Sequence, residues 1–127
     1  MDVQQERDGV VLIVDDDQSI RETVQEALEQ EHQPAAIAGN GQEALEWLQD
    51  HPPPRLILLD LMMPVMDGWQ VIDKLRDDDH LAGVPIVVIT AFGRELGSAA
   101  RFPTLRKPFD LRDLLDVIDR YGGAAES

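Results

Sequence analysis

Apolar and polar positions along the chain follow two alternating rhythms. Val10 to Val14 is an unbroken β-branched and leucine run that stops at Asp15, Asp16 and Asp17. This is the pattern of a strand buried on both faces whose C-terminal end meets polar surroundings. From Gln18 the apolar residues Ile20, Val24, Ala27 and Leu28 recur at helical spacing with Arg, Glu and Gln between them, so an amphipathic helix follows. Pro34 breaks it, Ala35 to Ala38 reads as a short second strand, and Gly39, Asn40 and Gly41 supply the turn and cap of a second helix carrying Ala44, Leu45 and Leu48. Pro52, Pro53 and Pro54 end that helix and deliver the chain into a third buried strand, Leu56 to Leu59, which closes at Asp60. Asp67 and Gly68 open a third helix striped by Val71, Ile72 and Leu75. A fourth strand runs from Val84 to Ile89 and stops at Thr90, and a weaker fifth, Thr104 to Arg106, leads to Lys107. Leu111, Leu114, Leu115 and Ile118 mark the last helix. Strands alternating with helices in this way predict an α/β fold: a doubly wound, five-stranded parallel sheet with right-handed crossovers and helices on both faces. Between Phe92 and Pro103 the glycines at 93 and 97 leave room for only a short helix.

Length adds one constraint. With 127 residues and no repeat or domain-sized linker, the expectation is one domain spanning 1–127, its core at about residues 10 to 121. The 11 Lys and Arg against 25 Asp and Glu leave a net charge of −14, which disfavours direct binding to a phosphate backbone. Without cysteine there is no disulfide framework, thiolate nucleophile or cysteine-ligated metal. The N-terminal MDVQQERDG is polar where a signal peptide is apolar, and no run reaches membrane-spanning length. A cytoplasmic protein that does not engage a membrane is expected.

Chemistry concentrates at the strand ends. In open parallel sheets ligands bind beyond the carboxyl ends of the strands, near the point where strand order reverses. The residues there are Asp15, Asp16 and Asp17 after the first strand, Asp60 after the third, Thr90 after the fourth and Lys107 after the fifth. Carboxylates a few ångströms apart repel by about 4 kcal/mol per pair at an effective dielectric near 20, so the cluster calls for a cation. An all-oxygen donor set with few protein ligands suits Mg²⁺ better than Zn²⁺ or Ca²⁺. Lys107 and the Thr90 hydroxyl would then meet the oxygens of a phosphoryl group. Each residue also has a plainer reading: the aspartate run as a strand end and helix cap, for which Asp17 is best placed, Thr90 as a β-branched strand residue, Lys107 as a solvated charge. His32, His51 and His80 lie near helix ends without metal-ligand spacing, Trp47 and Trp69 read as packing residues, and Asp77 to Asp79 as a solvated face.

The segments VLIVDDDQSIRE, LILLDLMMPVMDG, VVITA and RKPF, in this order on successive strand ends, resemble the response-regulator receiver domains of two-component signalling, over roughly Val10 to Tyr121. The resemblance implies the flavodoxin-like receiver fold and a non-enzymatic phosphoacceptor role, with Asp60 taking a phosphoryl group from a histidine kinase or histidine phosphotransfer protein. It implies that Asp15, Asp16, Asp60 and the main-chain carbonyl of Met62 hold Mg²⁺, Asp16 more directly than Asp15. Thr90, beside the small Ala91, would sense the phosphoryl group and Lys107 would pair with it, and the Lys107–Pro108 bond would be cis. The output would be a switched surface that meets a downstream protein, with no effector domain in the chain. Met62 and Phe92 occupy positions that border the phosphoryl group in the family. Both are apolar and unable to orient an attacking water, so a long-lived phospho-Asp60 is expected.

Two departures from the family stand out. Lys107 follows Thr90 by only 17 positions, which is short for the family, and the shortage falls where its fourth helix belongs. The position three before the lysine, commonly an aromatic that changes rotamer on activation, is Thr104. Two rival readings follow from the residues. Asp15 and Asp17 also satisfy the Asp-x-Asp pattern of haloacid-dehalogenase-like phosphohydrolases, and a receiver with an uncoupled switch could serve as a scaffold alone.

Overall fold

The computed structural model describes residues 9–91 and 95–122. Five parallel strands, β1 (Val11–Val14), β2 (Ala35–Ala38), β3 (Leu56–Asp60), β4 (Ile86–Ala91) and β5 (Thr104–Lys107), form one sheet in the order β2-β1-β3-β4-β5. Four α-helices connect or follow them: α1 (Gln18–Gln30), α2 (Gly41–Asp50), α3 (Gly68–Arg76) and α4 (Leu111–Tyr121). The doubly wound parallel sheet expected from the alternation is the fold observed.

Strand alternation sorts the core into two layers. Leu12, Val14, Ile57, Leu59 and Val88 face α2 and α3, meeting Ala44, Leu48, Val71, Ile72 and Leu75. Val11, Ile13, Leu56, Leu58, Val87 and Ile89 face α1 and α4, meeting Val24, Leu28, Leu114 and Ile118. Because β1, β3 and β4 are covered on both faces, their sequences show continuous apolar runs instead of alternation. β2, at the sheet edge, is only partly buried and leaves Ile37 exposed.

The helix starts follow their caps. Asp17 accepts hydrogen bonds from the amides of Ser19 and Ile20, Asn40 from Glu43, and Asp67 and Asp110 each close a capping box. Two details depart from the sequence pattern. β4 starts at Ile86 rather than Val84, because the Val84 amide is spent on a turn to the Leu81 carbonyl and Pro85 has no N–H to give to the ladder. It also runs beyond Ile89, since Thr90 and Ala91 pair with Arg106 and Lys107 of β5. Between β4 and β5 the described residues hold only a five-residue 3₁₀ helix, Gly97–Arg101, in keeping with the shortened fourth helix. The Lys107–Pro108 bond is cis.

Strand order reverses at β1, flanked by β2 and β3, so the C-terminal ends of β1 and β3 open onto a crevice. The β3–α3 loop is set against this crevice by glycine. A Cβ on Gly68 would lie 2.6 Å from the Asp60 carbonyl oxygen and 2.8 Å from the Leu61 Cα, backbone contacts that no rotamer can relieve. Gly68→Ala is therefore expected to lower stability by about 2 kcal/mol in urea denaturation. An unchanged midpoint would show that the loop end yields freely.

Candidate functional site: an acidic cluster at the strand ends

β1 carries Asp15 into the crevice fully buried, with Asp16 next to it and exposed. β3 carries Asp60, 5 % exposed. One carboxylate oxygen from each of Asp15, Asp16 and Asp60 lies within 4.8 Å of the others, and this is the cluster with metal-binding geometry among the described residues. From β5 the Lys107 ammonium reaches across, 3.0 Å from Asp15 Oδ2 and 3.5 Å from Asp60 Oδ2.

The remaining carboxylate oxygens are held by backbone. Asp15 Oδ1 accepts from the Asp17 amide at 2.9 Å, and Asp60 Oδ1 from the Met62 amide at 3.2 Å. Thr90, on β4 beside Asp60's strand, has its hydroxyl buried with no hydrogen-bond partner among the described residues. A buried orphan hydroxyl costs free energy unless a ligand satisfies it.

Electrostatics follow from this packing. Burial pushes the Asp60 carboxyl up to about 7, the charge of Asp15 adds to the rise, and Lys107 and the Met62 amide work against it. Burial also disfavours charge on Lys107, but its hydrogen bond to Asp15 and the charges of Asp60 and Asp15 outweigh that and hold the ammonium above its ordinary range.

Of the predicted site residues, Asp15, Asp16, Asp60 and Lys107 come together here, and Thr90 lies at the end of the adjoining strand β4. Ala91 is exposed at the end of β4, and the Met62 side chain is 47 % exposed in the β3–α3 loop. Phe92 lies outside the described residues. Thr104 turns its hydroxyl to the Phe102 carbonyl, 3.2 Å away, instead of towards the crevice. Asp17 is spent on capping α1, which removes the acid that the phosphohydrolase reading requires of it. The histidines stand apart, His51 stacked on Trp47 with ring centroids 4.1 Å apart.

Sequence reasoning missed Arg21, whose Nη1 donates to the Asp15 carbonyl at 2.8 Å and ties the first turn of α1 to the end of β1. The only signal for it was a basic residue within the DDDQSIRE segment. Beside the crevice, Ile20 and Val24 of α1 face Pro108 and Phe109 across an open, largely apolar groove of about 420 Å³ that Lys107 also lines.

Residues 11–119 match the response regulator receiver domain. The chain belongs to this family. Among its relatives, the response regulator Rre1 of Synechocystis is 37 % identical over 114 residues, which cover 85 % of this chain and 49 % of that protein. The chemotaxis protein CheY of Halobacterium salinarum is 33 % identical over 113 residues, 85 % of this chain and 92 % of that one. Sporulation initiation phosphotransferase F of Bacillus subtilis is 31 % identical over 119 residues, with 87 % and 91 % covered. The receiver thus spans about half the length of Rre1 and nearly all of the other two. Among solved structures, a sensor protein from Polaromonas superimposes with a TM-score of 0.80 at 28 % identity, covering 91 % of this chain and 96 % of that one. Vibrio cholerae CheY4 does so with 0.79 at 28 %, covering 89 % and 98 %. No helix of the described receiver is long and apolar enough to cross a membrane.

The raised Asp60 value has a measurable consequence. Without metal, between its ordinary 3.8 and about 7, the folded chain retains a proton that the unfolded chain has released. Stability therefore falls as pH rises through that window, on the order of 2–4 kcal/mol in total. Urea midpoints in EDTA at pH 5 and pH 7.5 should show this fall, and Asp60→Asn should remove it. An equal fall in Asp60→Asn would assign it to other groups.

Proposed function

We propose that the chain is a phosphorelay receiver in which Asp60 accepts a phosphoryl group from the phosphohistidine of a histidine kinase or histidine phosphotransfer protein. The observation that carries this reading is the Lys107 ammonium set between Asp15 and Asp60, beside the unsatisfied Thr90 hydroxyl. In the transfer, an Asp60 carboxylate oxygen attacks phosphorus, the P–N bond to imidazole breaks, and the P–O bond of an acyl phosphate forms. Lys107 then exchanges part of its carboxylate contact for a phosphoryl oxygen, and the Thr90 hydroxyl donates to another. Ala91, being small, leaves the approach open.

The donor atoms fit Mg²⁺. They are carboxylate oxygens of Asp15, Asp16 and Asp60, which the main-chain carbonyl of Met62 would join, and the exposure of Asp16 leaves room for water ligands. Bound there, Mg²⁺ would neutralise charge that builds on the phosphoryl oxygens. The groove between α1 and the Pro108–Phe109 turn, continuous with Lys107, suits the donor's apolar flank. The receiver acts in the cytoplasm, as a non-enzymatic module that passes its state to a protein partner and not to nucleic acid. Residues 10–121 work as one unit. Met62, with Phe92, offers no group to orient a hydrolytic water, so phospho-Asp60 decays slowly.

Acetyl phosphate with Mg²⁺ should label Asp60 alone, as located by mass spectrometry, and Asp60→Asn should take up no label. Label elsewhere, or label persisting in Asp60→Asn, would overturn the assignment. Asp16→Ala should abolish Mg²⁺ binding in calorimetry and stabilise the metal-free chain by about 1 kcal/mol through relief of repulsion. Unchanged Mg²⁺ affinity would show that the ion sits elsewhere.

A further inference from the structure

Position 104 carries no aromatic, and the described residues between β4 and β5 hold only a 3₁₀ helix, so a change at Thr90 needs another path to the surface. The structure offers a tryptophan. Trp69 follows Gly68, whose amide donates to the Leu61 carbonyl at 2.9 Å and whose Cα packs on the Asp60 and Leu61 backbone. The backbone that carries the indole is thereby set on the end of β3, next to Asp60. Its Nε1 donates to the Leu96 carbonyl at 2.7 Å. The same oxygen accepts the Ala99 amide at 3.0 Å, the bond that starts the 3₁₀ helix. Gly97, at φ +56°, presents its Cα to the indole, where a Cβ would come within 3.6 Å of Nε1. Leu96, Phe102 and Trp69 all pack against the same core layer.

One end of this hydrogen bond therefore springs from the residue after Gly68, which packs on the Asp60 backbone, and the other lies six positions beyond Thr90. We propose that the Trp69–Leu96 hydrogen bond is a latch that couples the state of Asp60 to the 3₁₀ segment 97–101, closed in the unphosphorylated receiver and released on phosphorylation. Drawing Thr90 towards a phosphoryl group on Asp60 shifts the end of β4 relative to the start of α3, and the bond from Trp69 of α3 to Leu96, beyond β4, is placed to register that displacement. Released, the bond frees the Leu96 carbonyl and the indole N–H from each other. This inference rests on the phosphoacceptor reading of Asp60.

Trp47→Phe leaves Trp69 as the sole tryptophan. Three quantities are followed in that variant on adding acetyl phosphate and Mg²⁺: label at Asp60 by mass spectrometry, Trp69 emission, and amide hydrogen exchange at Ala99. Label at Asp60 should come with a shifted emission and exchange at Ala99 about fivefold faster, as expected for loss of one hydrogen bond. Trp69→Phe, which keeps a ring but no donor, should show the faster exchange before phosphorylation, take up label to the same extent, and show no further change. Label at Asp60 with emission and exchange unchanged overturns the latch and leaves the phosphoacceptor reading intact. A phosphorylation-dependent change in Ala99 exchange that persists in Trp69→Phe also overturns it. Absence of label overturns both readings. If Trp69→Phe fails to fold, the Trp47→Phe measurements decide alone.

Discussion

The chemistry of the crevice depends on one ammonium group set between two buried carboxylates. Asp15 and Asp60 belong to adjacent strands whose ends meet where the sheet reverses its order, so parallel pairing itself brings their charges together. Backbone amides satisfy one oxygen of each, and Lys107 answers the other pair. The compensation is incomplete: Asp15 and Asp60 share one lysine while Asp16 adds a third carboxylate to the cluster, and burial with the charge of Asp15 pushes the Asp60 carboxyl up. An uncompensated negative cluster with open access is a poor structural element and a good receptor for a cation and an electrophilic phosphorus.

The rest of the receiver serves to keep those groups in place. Both core layers clamp β1, β3 and β4, the three strands that deliver Asp15, Asp60 and Thr90. Arg21 pins the carbonyl of Asp15 from the first turn of α1, adding positive charge without occupying a carboxylate oxygen. Gly68 allows α3 to start directly against the Asp60 backbone. The 3₁₀ segment beyond β4 is held to this frame by the buried Ala99 and by the Trp69–Leu96 hydrogen bond.

Much of this was legible in the sequence for a simple reason. Runs such as Val11–Val14 and Leu56–Leu59 are apolar because they are covered on both sides, and each ends where its strand leaves the core, so the first polar residue marks the site. Asp15, Asp60 and Thr90 stand out this way, whereas Lys107 follows Arg106 on a weaker strand and is marked by the RKPF segment. Contacts that join distant parts of the chain without periodicity stayed hidden. The Trp69–Leu96 hydrogen bond spans 27 positions, and Trp69 reads from pattern alone as another packing residue on α3. β4 starts two residues beyond the beginning of its apolar run because Val84 is apolar yet belongs to a turn, a distinction made by its amide and not by its side chain. The relative burial of Asp15 and Asp16 was likewise invisible, since adjacent carboxylates differ only in which face of the strand end they leave from.

The central claim, that Asp60 receives a phosphoryl group which Lys107 and Thr90 then hold, is tested most directly by a crystal structure of the receiver with Mg²⁺ and beryllofluoride, a phosphoryl mimic. Beryllium is expected on an Asp60 carboxylate oxygen, Mg²⁺ among Asp15, Asp16 and Asp60, and fluorines within hydrogen-bond reach of Lys107 Nζ and the Thr90 hydroxyl. Beryllium on Asp15 or Asp16, or an Asp60 adduct that leaves the Thr90 hydroxyl unpartnered, would contradict it.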